Sequence, residues 1–101
     1  MSEQKPYKLV RAVLLDPQGK EVCCGFHMML DDEGGLKNLA EACEKAEKNL
    51  MAEFRAVTSR NTFLQEARAW TDEQTQAAVN SLIAWAGYRL DWFYSGWKER
   101  I

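Results

Sequence analysis

Apolar positions recur with a period of two in the first thirty residues and with a helical period after residue 35. Tyr7 to Leu15 (YKLVRAVLL) and Val22 to Leu30 (VCCGFHMML) are short runs rich in β-formers, separated by Asp16-Pro17-Gln18-Gly19. Asp first, Pro second and Gly fourth is the residue set of a type I turn, with Gly19 able to take a positive φ. Segment 7–30 therefore reads as a β-hairpin. In its second strand Val22, Cys24, Phe26, Met28 and Leu30 alternate with Glu21, Cys23, Gly25, His27 and Met29, which makes the even-numbered face the expected core face. The first strand is apolar on both sides, as an interior strand or one with cover over its second face would be. Gly25 marks a bulge or a close backbone approach.

After the breaker Asp31-Asp32-Glu33-Gly34-Gly35, the residues Leu36, Leu39, Ala40, Cys43, Ala46, Leu50, Phe54 and Val57 fall at helical spacing. They predict an amphipathic helix over 36–59. Glu41 with Lys45 and Glu44 with Lys48 sit at i,i+4 on its far side, the pattern of a solvated face. Asn61 can cap a short helical connector over 62–69. Thr71-Asp72-Glu73-Gln74 is a capping box with acids at the positive end of the helix dipole, and the final helix is expected over 72–97. The expected architecture is α+β, a β-hairpin followed by two long helices (ββαα) with a short helix between them, in one domain spanning 1–101.

That final helix carries the least ordinary pattern. At 100° per residue, Val79, Leu82, Ile83, Ala86, Leu90, Phe93, Tyr94 and Trp97 occupy one arc of about 120°. Trp85, Tyr88 and Trp92 fall on a second arc roughly 150° away, with Arg89 on the flank. A helix packed once against a small hairpin buries a single stripe, so the second needs its own cover. Trp, Tyr and Arg are the residues most enriched at the desolvated centres of protein interfaces. Trp85, Tyr88, Trp92 and Arg89 are accordingly the expected partner-binding residues. A lone two-stranded hairpin is marginal in water, and joining two hairpins edge to edge would hide their free edges. A homodimer follows as the expected assembly.

Composition narrows the function classes. The chain has 101 residues, with 13 Lys and Arg against 15 Asp and Glu for a formal charge of −2. Domains that neutralise a phosphate backbone usually run basic, so nucleic acid is disfavoured; Lys8, Arg11 and Lys20 on the hairpin, near Tyr7, are the residues that would carry it. No run approaches the roughly 18 apolar residues of a spanning helix, and Met1 to Lys5 lack a signal-peptide core. A cytoplasmic protein without a membrane role is expected.

Three cysteines, Cys23, Cys24 and Cys43, make an odd count without C-x-x-C spacing and read as reduced thiols. Adjacent Cys23 and Cys24 point to opposite strand faces, so they are not expected to bridge. With one histidine, His27, the chain lacks the four N/S ligands of structural zinc in any obvious arrangement. Cys23 and His27 share a strand face, but no third group orients them for nucleophilic catalysis. The acids at 31–33 do not follow the ligand order of a calcium loop and oppose anion binding at Gly34-Gly35. No catalytic residue, cofactor or metal is expected. The reading is a non-enzymatic protein–protein interaction module, an adaptor or inhibitor that occludes a partner surface. An antagonist of a host system carried by a phage or mobile element is one form of it. The alternative is a nucleic-acid or small-ligand binder using an aromatic and basic surface.

Overall fold

The computed structural model describes residues 7–30 and 36–95. The acid and glycine run Asp31 to Gly35, the first residues of the chain, and Trp97, Lys98 and Arg100 lie outside them. Two antiparallel strands, β1 (Tyr7–Leu15) and β2 (Glu21–Leu30), are followed by helix α1 (Leu36–Thr58), a 3-10 segment (Thr62–Ala69), helix α2 (Asp72–Trp85) and a third strand β3 (Arg89–Ser95). The sheet order is β2-β1-β3, antiparallel throughout. The fold is thus α+β with the order ββααβ.

The hairpin turn forms as its residues dictate. Gly19 N–H donates to Asp16 O at 2.8 Å, and Gly19 takes φ +83°. The Asp16 carboxylate accepts from the backbone N–H groups of Gln18 and Lys20 at 2.9 and 2.8 Å. Just beyond the turn the register shifts: Leu14 pairs with Cys23 but Leu15 pairs with Glu21. Val22 is the extra residue of a β-bulge, and both Val22 and Cys23 pack toward the core. Through a bulge the alternation of faces changes phase.

That phase change overturns the expected core face of β2. Cys23 and Gly25 are buried, whereas Phe26 and Met28 are about half exposed. Gly25 is a close backbone approach, as its place mid-strand suggested. A Cβ on it would overlap Leu50 N and lie 2.5 Å from Ala46 O, so the α1 backbone rests directly on the strand. Asn49 donates from Nδ2 to Phe26 O at 2.8 Å and ties the same turn of α1 to β2. On β1 the residues Val10, Ala12 and Leu14 face the helices and are fully buried. From α1 they meet Ala42, Ala46, Leu50, Met51 and Phe54. The expected stripe of α1 is therefore largely right, except that Ala40 is exposed and Ala42 and Met51 are buried.

α2 begins with the capping box. Gln74 N–H donates to Thr71 Oγ1 at 3.1 Å, and Thr71 N–H donates to Gln74 Oε1 at 2.9 Å. Arg55 crosses from α1, donating to Asp72 Oδ1 at 3.1 Å and to Thr75 Oγ1 at 3.0 Å. The helix does not run to residue 97. It ends at Trp85, and Gly87, at φ +81°, turns the chain back toward the sheet. An L-residue with a side chain rarely adopts that conformation. β3 then pairs along the second edge of β1, from Leu15↔Arg89 to Leu9↔Ser95. The β1 edge groups that would otherwise need water or a second copy are satisfied within one chain. The edge-joined dimer of two bare hairpins loses its premise, because this hairpin is already a three-stranded sheet under two helices.

The Gly25 contact yields a direct test. Gly25→Ala is expected to destabilise the fold by about 2 kcal/mol or more, because the obstacle is helix backbone and not a movable side chain. Urea unfolding measures it; a change below about 0.5 kcal/mol, the range of inert surface substitutions, would show that α1 does not rest on this residue.

Candidate functional site

The four expected partner-binding residues are not brought together. Trp85 closes α2 and is 87% exposed. Tyr88, in the turn, packs against the core. Trp92 lies on the helix-facing side of β3, half-buried beside Leu90. Arg89 opens β3 on the opposite side and is exposed. The reason is the change of period. Residues 89–95 alternate in a strand, so the second helical arc on which Trp85, Tyr88 and Trp92 were to align does not exist. The three basic hairpin residues are also dispersed. Lys8 is buried on the helix-facing side of β1, Arg11 lies on the other face, and Lys20 is exposed at the turn.

What the sheet builds instead is a face that, among the described residues, neither helix covers. Both helices pack on the side of Val10, Ala12, Leu14, Leu90 and Trp92. The opposite side presents Leu9, Arg11, Val13 and Leu15 from β1. Cys24, Phe26 and Met28 come from β2, and Arg89, Asp91, Phe93 and Ser95 from β3. Phe26, Met28 and Phe93 are 52%, 49% and 50% exposed. Val13 at its centre is buried.

The register orders this face. Arg11 pairs with Phe26 on one side and Phe93 on the other, so one cross-strand row reads aromatic, guanidinium, aromatic. The Arg11 guanidinium lies 5.8 Å from the Phe93 ring centroid and donates to Glu21 Oε1 at 2.8 Å. It is thereby held flat along the face, a partly exposed ion pair with cation–π contact. The next row outward is Met28–Leu9–Ser95, while toward the hairpin turn come Cys24–Val13–Asp91 and then Glu21–Leu15–Arg89. One end is apolar and aromatic; the other carries both signs of charge.

Reasoning from sequence missed Phe26, Met28 and Phe93 because the bulge at Val22 inverted the assumed faces. A signal was present. A glycine in mid-strand that admits a close neighbour marks the covered side, so Gly25 already assigns residues 24, 26 and 28 to the open one. For β3 the signal was Gly87, followed by Leu90, Trp92 and Tyr94 alternating with Arg89, Asp91 and Ser95.

All three cysteines are free, and Cys23 and Cys24 lie on opposite faces as their adjacency required. Cys23 is against the core, and burial, reinforced by the charges of Glu53, Cys24 and Glu21, raises its thiol from 9.0 to about 12. A nucleophilic cysteine requires the opposite shift. His27 lies beyond Gly25 on the same side, half-buried. Cys43 of α1 and Tyr94 of β3 are close enough to influence each other, and burial, the larger cause, raises both the thiol and the phenol. Among the described residues no group of three or more His, Cys, Asp or Glu converges as a metal site. None of the described helices is long and apolar enough to cross a membrane.

Comparison with protein-family models, with curated proteins and with solved structures finds no match to this chain. The functional reading therefore rests on the geometry of the sheet face.

The Cys23 shift has a defined consequence. A thiol whose folded value exceeds its unfolded value stabilises the fold below the unfolded value, and that contribution is lost as pH rises from 9.0 toward about 12, since the unfolded chain releases its proton first. Wild type is expected to lose more stability over this interval than Cys23→Ala, measured by urea midpoints at matched ionic strength. Parallel pH curves for the two proteins would contradict the assignment.

Proposed function

We propose that this chain is a non-enzymatic protein–protein interaction module whose uncovered sheet face pairs with the same face of a second copy. The resulting homodimer acts as an adaptor or inhibitor by occluding a partner's surface. The observation that supports this reading is the aromatic and methionine side chains left half in water on one side of the sheet. Antiparallel sheets tolerate one solvated face when that face is polar; a contiguous apolar patch framed by charges is the mark of an association surface. Aromatic residues and Arg, the pair found in the Phe26–Arg11–Phe93 row, are also the residues that dominate binding energy when desolvated.

A second copy fits this face by charge. It carries Arg11 and Arg89 against Glu21 and Asp91, equal numbers of each sign, so two such faces related by a twofold axis do not repel. Its size sets the strength. Three strands at the usual spacings cover about 14 Å by 30 Å, the low end of interface areas, where association is weak and reversible.

The expected behaviour is a monomer–dimer equilibrium in the micromolar range, followed by sedimentation equilibrium. Phe26→Lys together with Phe93→Lys, both at half-exposed sites, is expected to retain the circular dichroism of the fold and shift the chain to monomer by at least tenfold in dissociation constant. Wild type that stays monomeric at high micromolar concentration, or a dimer indifferent to these substitutions, would refute the pairing.

A further inference from the structure

On the helical side a cavity of about 530 Å³ opens between the C-terminal half of α1, the 3-10 segment, α2 and the bulge of β2. Its walls include Val22, Phe54, Leu64, Trp70, Leu82 and Tyr88. Phe54 and Trp70 stack with centroids 6.5 Å apart and planes at 28°. The bulge is what aims Val22 into this space, and the 3-10 segment is what carries Leu64 and Trp70 over it. Val22, Trp70, Leu82 and Tyr88 all remain half-buried, because the side chains around them leave the cavity unfilled. Among the described residues no charged side chain lines it, and the Tyr88 phenol and the Ser81 hydroxyl on its rim have no hydrogen-bond partner.

We propose that this cavity is a binding site for a neutral aromatic molecule of two to three rings, with its polar substituent hydrogen-bonded to Tyr88 or Ser81. The volume lies within the range of small-molecule sites, and apolar walls with a few polar groups are their usual make-up. Ring faces select planar aromatic partners through offset and edge contacts. Neutrality follows from the lining: Thr58, Asn61, Ser81 and Tyr88 offer hydroxyls and an amide, but the described lining residues supply no counter-charge for an ion leaving water. The site is separate from the sheet face, and neither reading depends on the other.

The probe is N-phenyl-1-naphthylamine, neutral and fluorescent when desolvated, titrated with the full chain. Its comparator is 1-anilinonaphthalene-8-sulfonate, the same rings bearing a sulfonate. The neutral dye is expected to bind at one saturable site at least tenfold more tightly than the sulfonate. Ser81→Trp, at an exposed helical position on the rim, is expected to weaken it at least tenfold; Leu64→Trp serves as a second filling variant, each checked for native circular dichroism. Phe26→Lys with Met28→Lys, on the sheet face, is expected to leave dye affinity within twofold. Linear, non-saturating binding, equal affinity for the sulfonate, or full affinity in the folded filling variants would overturn the proposal. Loss of binding in the sheet-face variant would overturn it as well, by placing the dye on the other side of the sheet.

Discussion

At Gly25 helix α1 lies on β2 with no side chain between them: the backbone at Ala46 and Leu50 occupies the space a Cβ there would need. Ala12, the partner of Gly25 on β1, is equally small and fully buried, and the row ends at Trp92 on β3. Two small residues under the helix and a large one beside it form a step in the sheet surface. The helix seats in the low part, and the indole packs along its flank. A uniform row of large side chains would lift α1 away and expose Leu50, Val10 and Leu14 together.

The seating of α1 distributes everything else. With α1 over β1 and β2, α2 is left to cover the end of β3 nearest the hairpin turn, joined to α1 by Arg55 through Asp72 and Thr75. Neither helix crosses to the other side. A two-layer fold of this size has one covered sheet face, and Phe26, Met28 and Phe93 stand on the other. The same arrangement leaves the 3-10 segment bridging a gap that its side chains do not fill, where Trp70 and Tyr88 meet the cavity. Both candidate binding surfaces thus arise from how one helix rests on one glycine and one alanine.

The bulge at Val22 bears on each surface in turn. It directs Val22 and Cys23 to the same side, closing the core beneath α1 and shaping the cavity floor. It also puts Cys24, Phe26 and Met28 in the opposite phase. A strand read by strict alternation from Val22 gives the reverse result, which is why the open face was not legible while the strand itself was. The second helical stripe expected of Trp85, Tyr88 and Trp92 does not form for a related reason, since they share a face only at 100° per residue.

Neighbours along the chain determined the hairpin turn, the extent of α1, the Asn61 cap, the 3-10 segment and the Thr71–Gln74 box. Each depends on side chains reaching backbone groups a few residues away, and such contacts are written in local spacing. Tertiary structure decided the rest. Whether residues 89–95 coil or extend turns on a free β1 edge more than seventy positions upstream, whose N–H and C=O groups need partners, with Gly87 permitting the reversal. Which side of the sheet is covered turns on where a helix backbone can approach. Both are decided by contacts between segments distant in sequence, and no local periodicity carries that information.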